Sequence, residues 1–247
     1  MQTGLVAESD AEDSRTPRAR MEAGDLYRVD DEIAGMHLRA IGLCEVFNAT
    51  PTADHDGRRR VLEVLLRAMG PDAEIRAPVH CDFGSYLSIG ARTFANFGLI
   101  ALDVAPIVIG DDVQIGPNVQ LLTATHPLDA GLRRAKWEAA EPIAIGDNVW
   151  LGGGVVVLPG VTIGQDTVVG AGTVVVRDLP DGVVAVGNPA RIIRRLDGQF
   201  DGSPRTSWDG STRSGERGME PDAAASSVEL SRASGGDATQ EAGWLDE

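Results

Sequence analysis

The stretch IAIGDNVWLGGGVVVLPGVTIGQDTVVGAGTVVV, residues 143–176, decides the fold. Within it an aliphatic residue followed by glycine recurs at Ile145-Gly146, Leu151-Gly152, Ile163-Gly164 and Val169-Gly170, and Val157 and Val175 hold the same register without the glycine. Upstream, Ile109-Gly110, Ile115-Gly116 and Leu121 belong to the same series. A second series runs through Val113, Val119, Val149, Val155 and Val161, and Thr167 and Thr173 close it. Two residue classes thus keep one six-residue spacing. Such a period matches neither the alternation of a simple strand nor the turn of a helix.

Six residues are one short strand and a corner. Three such units close a triangular turn whose aliphatic residues point inward, and the turns stack at the strand spacing of about 4.8 Å. The glycines belong near corners, where a side chain would be crowded or a positive φ is required. The expected fold is therefore mainly β, a left-handed parallel β-helix, with the coil over residues 74–196.

An end of such a prism exposes unpaired backbone and an apolar cross-section, so it needs a cover. Residues 21–73 supply one at the N-terminal side. Ile33, Met36, Ala40, Leu43 and Phe47 lie on one face of a helix ending near Asn48, ahead of Pro51. Val61, Val64, Leu65 and Met69 lie on the face of a second helix stopped by Gly70-Pro71. A strand or short helix over residues 183–196 is expected to close the other end. Residues 1–20 and 197–247 are rich in Ser, Gly, Asp and Glu without periodicity and read as disordered extensions. The C-terminal one reads as a solvated tail, with a docking role for Trp208 or Trp244 as the sharper alternative.

Composition narrows the classes. A formal charge of -15 opposes binding to nucleic acid, which is driven by basic residues on phosphates. No run reaches the ~20 apolar residues of a membrane span, and residues 1–20 carry Glu8, Asp10, Glu12 and Asp13 where a signal peptide has its apolar core, so a cytoplasmic protein is expected. Cys44 and Cys81 fall in different segments without metal-ligand spacing and read as buried thiols.

Register breaks between Leu121 and Ile145, where TATHPLD, residues 123–129, opens a polar stretch running to Pro142. A regular coil accommodates an insertion only as an outward loop, so residues 123–142 leave the prism and carry polar chemistry, with His126 at their base.

Six motifs in order make residues 21–196 resemble the maltose and galactoside O-acetyltransferases and the related nodulation-factor acetyltransferase. They are AGDLYR (23–28), CDFG (81–84), FANF (94–97), TATHP (123–127), IGDNVWLG (145–152) and GNPAR (187–191). The resemblance implies an enzyme that moves acetyl from acetyl-CoA to a sugar hydroxyl by direct attack in a ternary complex. A sugar hydroxyl is a weak nucleophile at neutral pH, so a base must take its proton. His126 matches that base, and Glu138 matches the position that contacts it and fixes the tautomer.

The resemblance also assigns Asp31, Asp82, Asn96 and Asp103 to the acceptor. Trp150, Gly153 and Ala171 match positions along the CoA arm, and the Gly153 backbone N–H faces the developing oxyanion. Arg177, Arg191 and Arg194 match basic residues near the nucleotide phosphates. His37 departs from the pattern: it stands where close relatives carry arginine, in a helical segment one residue shorter. Relatives are homotrimers with the site between subunits, and no metal is expected. Acetylation of serine or of a foreign small molecule is an alternative on the same fold, as is a non-catalytic scaffold. A zinc enzyme of the carbonic anhydrase kind needs three histidines, and the coil holds His80 and His126 only.

Overall fold

The computed structural model describes residues 14–196. The expectations for residues 1–13 and for the acidic tail from Asp197 onward, including Trp208 and Trp244, fall outside the described residues.

Fifteen strands alternate among three faces, interrupted by the loop. β1 (Ala68–Met69), β4 (Leu87–Ile89), β7 (Ile107–Ile109), β12 (Ile143–Ile145) and β15 (Thr162–Ile163) form the first face. β2 (Glu74–Ile75), β5 (Phe94–Ala95), β8 (Gln114–Ile115), β13 (Trp150–Leu151) and β16 (Val168–Val169) form the second. β3 (Val79–Cys81), β6 (Leu99–Leu102), β9 (Gln120–Leu122), β14 (Val156–Val157) and β17 (Val174–Val175) form the third. The pairing within each face is parallel, so the chain is a β-solenoid of five stacked turns. The loop strands β10 (Ala124–Thr125) and β11 (Ala139–Ala140) pair antiparallel outside it.

Register aligns the inward residues into ladders. Ile89, Ile109, Ile145 and Ile163 stack on the first face, and Cys81, Ala101, Leu121, Val157 and Val175 on the third. All are buried, and each fully buried aliphatic side chain contributes about 1.5–3 kcal/mol. Val113, Val119, Val149, Val155 and Val161 are buried as the second series predicts. Thr167 and Thr173 continue it because their hydroxyls find partners: Thr167 donates to the Pro180 carbonyl at 2.8 Å, and Thr173 accepts from Gly187 N–H at 3.1 Å.

The glycines separate the two causes expected of them. A Cβ on Gly152 would lie 2.5 Å from the Ala171 nitrogen in the next turn, so this position is glycine because of crowding. The positive φ falls two residues later, where Asp112, Asn118, Asn148 and Asp166 adopt it with values of 55° to 58°.

Helix α1 (Pro17–Glu22) begins inside the segment read as disordered; Thr16 caps it, Pro17 suits its first turn and Met21 is buried. Helix α2 (Asp31–Ala49) is capped by Asp30 and buries Ile33, Ala40, Cys44 and Phe47. Helix α3 (His55–Leu65) stops four residues short of Met69, which already belongs to β1. Arg67 N–H bonds the carbonyls of Gly84 and Leu87, so the coil starts at Ala68 and not at 74. The buried face of α3 accordingly passes through Leu62 and Leu65 and leaves Val64 exposed.

These helices close the first turn with polar groups as well as apolar ones. The Asn48 amide donates to the Val79 carbonyl at 3.0 Å and accepts from Val79 N–H at 2.9 Å, as a neighbouring strand would. Arg59 donates to the carbonyls of Met69 and Gly70. The Cys44 and Cys81 sulfurs touch at 3.5 Å across the same interface. At the far end β18 (Val183–Val186) joins the second face, and β19 (Arg191–Arg195) returns antiparallel to it.

Candidate active site

The loop leaves the coil after β9 and returns into β12, with a short helix α4 (Ala130–Arg134) at its tip. Its base is fixed by Thr123, whose hydroxyl donates to the Leu102 carbonyl and accepts from Ala105 N–H at 3.0 Å. Asp129 caps α4 by accepting from Leu132 N–H at 2.8 Å, and Arg133 donates to the carbonyls of Pro127 and Leu128, both at 2.8 Å. The segment around His126 is thereby held from inside the loop. Trp137 is buried beneath two guanidiniums, Arg28 at 4.9 Å and Arg20 at 5.5 Å from its ring centre.

His126 is exposed and stands next to Thr125, which pairs with Ala139, as Ala124 does with Ala140. His126 and Glu138 each lie one residue beyond that pair. Glu138 is anchored on its other side. It exchanges both backbone hydrogen bonds with Tyr27, at 2.9 and 3.0 Å, and its Oε2 accepts from the Tyr27 hydroxyl at 2.9 Å. Among the described residues, the hydrogen bond made by the Glu138 side chain goes to Tyr27 and not to His126. Burial of the Tyr27 phenol and its bond to Glu138 push its pKa upward.

One apolar cluster joins the parts: Met21 of α1, Tyr27, Ile33 of α2, Phe83, Val104, Ala105 and Ala140 of the loop. It brings Asp82, beside Phe83, onto the same side of the molecule as Glu138. Asp82 lies 3.6 Å from His37 Nδ1. Burial raises the Asp82 pKa to about 6; His37 opposes the shift, and the carboxylates of Asp103 and Glu138 add to it.

The remaining acceptor residues separate. Asp103 has no exposed surface, and its carboxylate accepts the N–H groups of Phe83 at 2.8 Å and Tyr86 at 3.1 Å. Thus enclosed, Asp103 shapes the turn that presents Asp82. Burial raises the Asp103 pKa, and those backbone donors pull against the rise. Asn96 is partly buried, its oxygen accepting from Phe97 N–H at 2.8 Å. Asp31 is exposed in the first turn of α2.

The residues assigned to CoA assemble elsewhere. Gly153 follows β13 and Ala171 follows β16, one turn apart on the edge between the second and third faces. Trp150 lies on the second face in a ladder running Trp150, Val168, Val184, Arg194. Arg177 follows β17 and is exposed, as are Arg191 and Arg194 on β19. The loop carrying His126 stands on the edge between the third and first faces. Within one chain, His126 and the residues assigned to CoA therefore occupy different edges of the prism.

Sequence reasoning gave no role to Tyr27 and no partner to His37. Tyr27 sits inside the motif AGDLYR, and an aromatic hydroxyl within an otherwise small and charged motif was the available signal. The His37–Asp82 contact spans 45 positions and left no signal in spacing.

Residues 142–177 match the family described as bacterial transferase hexapeptide (six repeats), and residues 20–70 match the maltose acetyltransferase hexapeptide capping motif. Nodulation protein L of Rhizobium meliloti (strain 1021) is 44% identical over 72% of this chain and 98% of its own length. A maltose O-acetyltransferase from Clostridium difficile 630 superposes with a TM-score of 0.74 at 40% identity, covering 75% of this chain and all of that one. A galactoside acetyltransferase in complex with coenzyme A gives a TM-score of 0.72 at 36% identity, covering 74% and 92%. With five stacked hexapeptide turns, a capping motif of its own and an extruded histidine loop, the chain belongs to the maltose and galactoside O-acetyltransferase family of hexapeptide-repeat acetyltransferases.

Proposed function

We propose that the protein transfers acetyl from acetyl-CoA to a hydroxyl of a sugar or glycoside in a ternary complex, with His126 as general base. The reading rests on one observation above all: the longest break in the repeat, between Leu121 and Ile145, is a loop tied down at its base that presents an exposed imidazole one residue beyond the strand pair flanked by Glu138. In the step, the hydroxyl oxygen attacks the thioester carbonyl as its proton passes to the imidazole. The oxyanion meets the Gly153 N–H, the C–S bond then breaks, and the proton leaves with the CoA thiol. Glu138 orients the imidazole and stabilises its charged form, while Tyr27 holds Glu138. Asp82, His37 and Asn96 offer hydrogen bonds to the acceptor, and Asp31 stands at its margin.

The separation of the two residue sets supports a homotrimer in which His126 of one subunit faces Trp150, Gly153 and Ala171 of the next, with Arg177, Arg191 and Arg194 toward the nucleotide phosphates. The CoA-bound galactoside acetyltransferase supports acetyl-CoA as donor. His126→Ala, assayed by thiol release with acetyl-CoA and a panel of sugars, tests the base: turnover should fall by about 10²- to 10⁴-fold. Unchanged turnover in this variant refutes the assignment.

A further inference from the structure

A cleft of about 660 Å³ opens between the N-terminal segment and the loop, lined by Pro17, Arg28, Val29, Ala135, Lys136 and Glu138. Its size lies within the ~300–1,000 Å³ of small-molecule sites. Two cations converge on it in a chain whose formal charge is -15. No ion pair joins Arg28 or Lys136 to Glu138 or any other described carboxylate, whereas two arginines of the N-terminal segment are taken, Arg15 by Asp25 and Arg18 by Glu22 and Glu32.

The fold holds the Arg28 side chain and the Lys136 backbone. The Arg28 guanidinium lies over the Trp137 ring at 4.9 Å, a contact that uses its face and not its N–H donors. Lys136 adopts a left-handed φ of 65° just past the end of α4, and its N–H bonds the Arg133 carbonyl. Pro17, Val29 and Ala135 add an apolar wall, and Glu138, one residue beyond the strand pair that also flanks His126, completes the lining.

We infer that the acceptor carries an anionic substituent, a carboxylate or a phosphate, which docks between Arg28 and Lys136 while a neutral hydroxyl of the same molecule reaches His126. The inference rests on the reading of His126 and Glu138 above and narrows it to an acidic sugar or glycoside. The carboxylate of Glu138 then has a second effect: it repels a misplaced anion from the base and keeps the charge at the cationic end of the cleft.

Calorimetric titration tests this without turnover. Matched pairs are phenyl and 4-carboxyphenyl β-glycosides of galactose and of glucose, which share every sugar hydroxyl; galactose 1-phosphate and glucose 1-phosphate form the phosphate arm. For at least one sugar the carboxyphenyl or phosphate member should bind about tenfold more tightly than its neutral counterpart, and less so as salt rises. That preference should shrink in Arg28→Gln and in Lys136→Gln, and persist in part in Arg28→Lys. If Arg28→Gln fails to fold because Trp137 loses its cover, Lys136→Gln decides alone. Equal affinity within every pair, no measurable binding of any anionic member, or a preference that survives the variants overturns the inference. Loss of activity in His126→Ala is independent of all these outcomes, so the cleft and the base fail separately.

Discussion

The hydroxyl of Tyr27 donates to Glu138 Oε2 at 2.9 Å, and the two residues exchange both backbone hydrogen bonds as well. A residue ahead of the first long helix thus sets the position of the strand that returns from the loop carrying His126. Tyr27→Phe keeps the ring and its burial and removes only the donor. We expect kcat to fall about tenfold, a fraction of what the base itself contributes, with little change in KM for acetyl-CoA. A change in melting temperature with unaltered kcat would make the contact purely structural.

Asp82 links pH to stability. Its pKa is raised from 3.8 to about 6 by burial, so between those values the folded chain holds more proton than the unfolded one. The contribution is therefore fully present below about pH 4 and is lost as pH rises to about 6, a difference of about 3 kcal/mol at most by 1.36 kcal/mol per pH unit. Urea titrations at pH 4 to 7 on the wild type and on Asp82→Asn should differ by that slope and run parallel above it. The same protonation should raise the acceptor KM below about pH 6, since a neutral carboxyl is a poorer acceptor for hydroxyl protons. Identical pH slopes in the two proteins would remove Asp82 from this role.

Two neighbouring glycines should respond differently to alanine. At Gly152 the new Cβ would stand 2.5 Å from the Ala171 nitrogen, and since backbone cannot step aside within a stacked coil, Gly152→Ala should cost about 3 kcal/mol or more. Gly172 has a φ of 68° and open space, so Gly172→Ala should cost only about 1 kcal/mol of backbone strain. Equal losses on urea denaturation would mean that crowding is not what selects glycine after the inward aliphatic residue.

The repeat was legible because its period is local: each six-residue unit carries its own inward residue and corner, and Leu121, Val157 and Val175 keep register even where glycine is absent. His126 was legible as a break in that period. The start of the coil was not, since Ala68 and Met69 look helical until Arg67 is seen bonding Gly84 and Leu87 in the next turn. The burial of Asp103 was illegible for a similar reason. A carboxylate in a motif reads as exposed chemistry, whereas its enclosure depends on Phe83 and Tyr86, 20 and 17 positions away. Tyr27 and Glu138 meet across 111 positions, a distance no periodicity encodes.

The proposed division of base and CoA set between two edges of the prism is tested most directly by hybrid oligomers. His126→Ala removes the base, and Gly153→Trp, with Pro117 already 3.3 Å from a Cβ at that position, blocks the CoA edge. Each variant alone should be inactive. When the two are unfolded together and reassembled, a closed ring of three should regain up to about a quarter of wild-type turnover, because an intact loop then meets an intact edge at some interfaces. A reassembled mixture as inactive as its components, although both variants are present in the same oligomers, would contradict a site shared between chains.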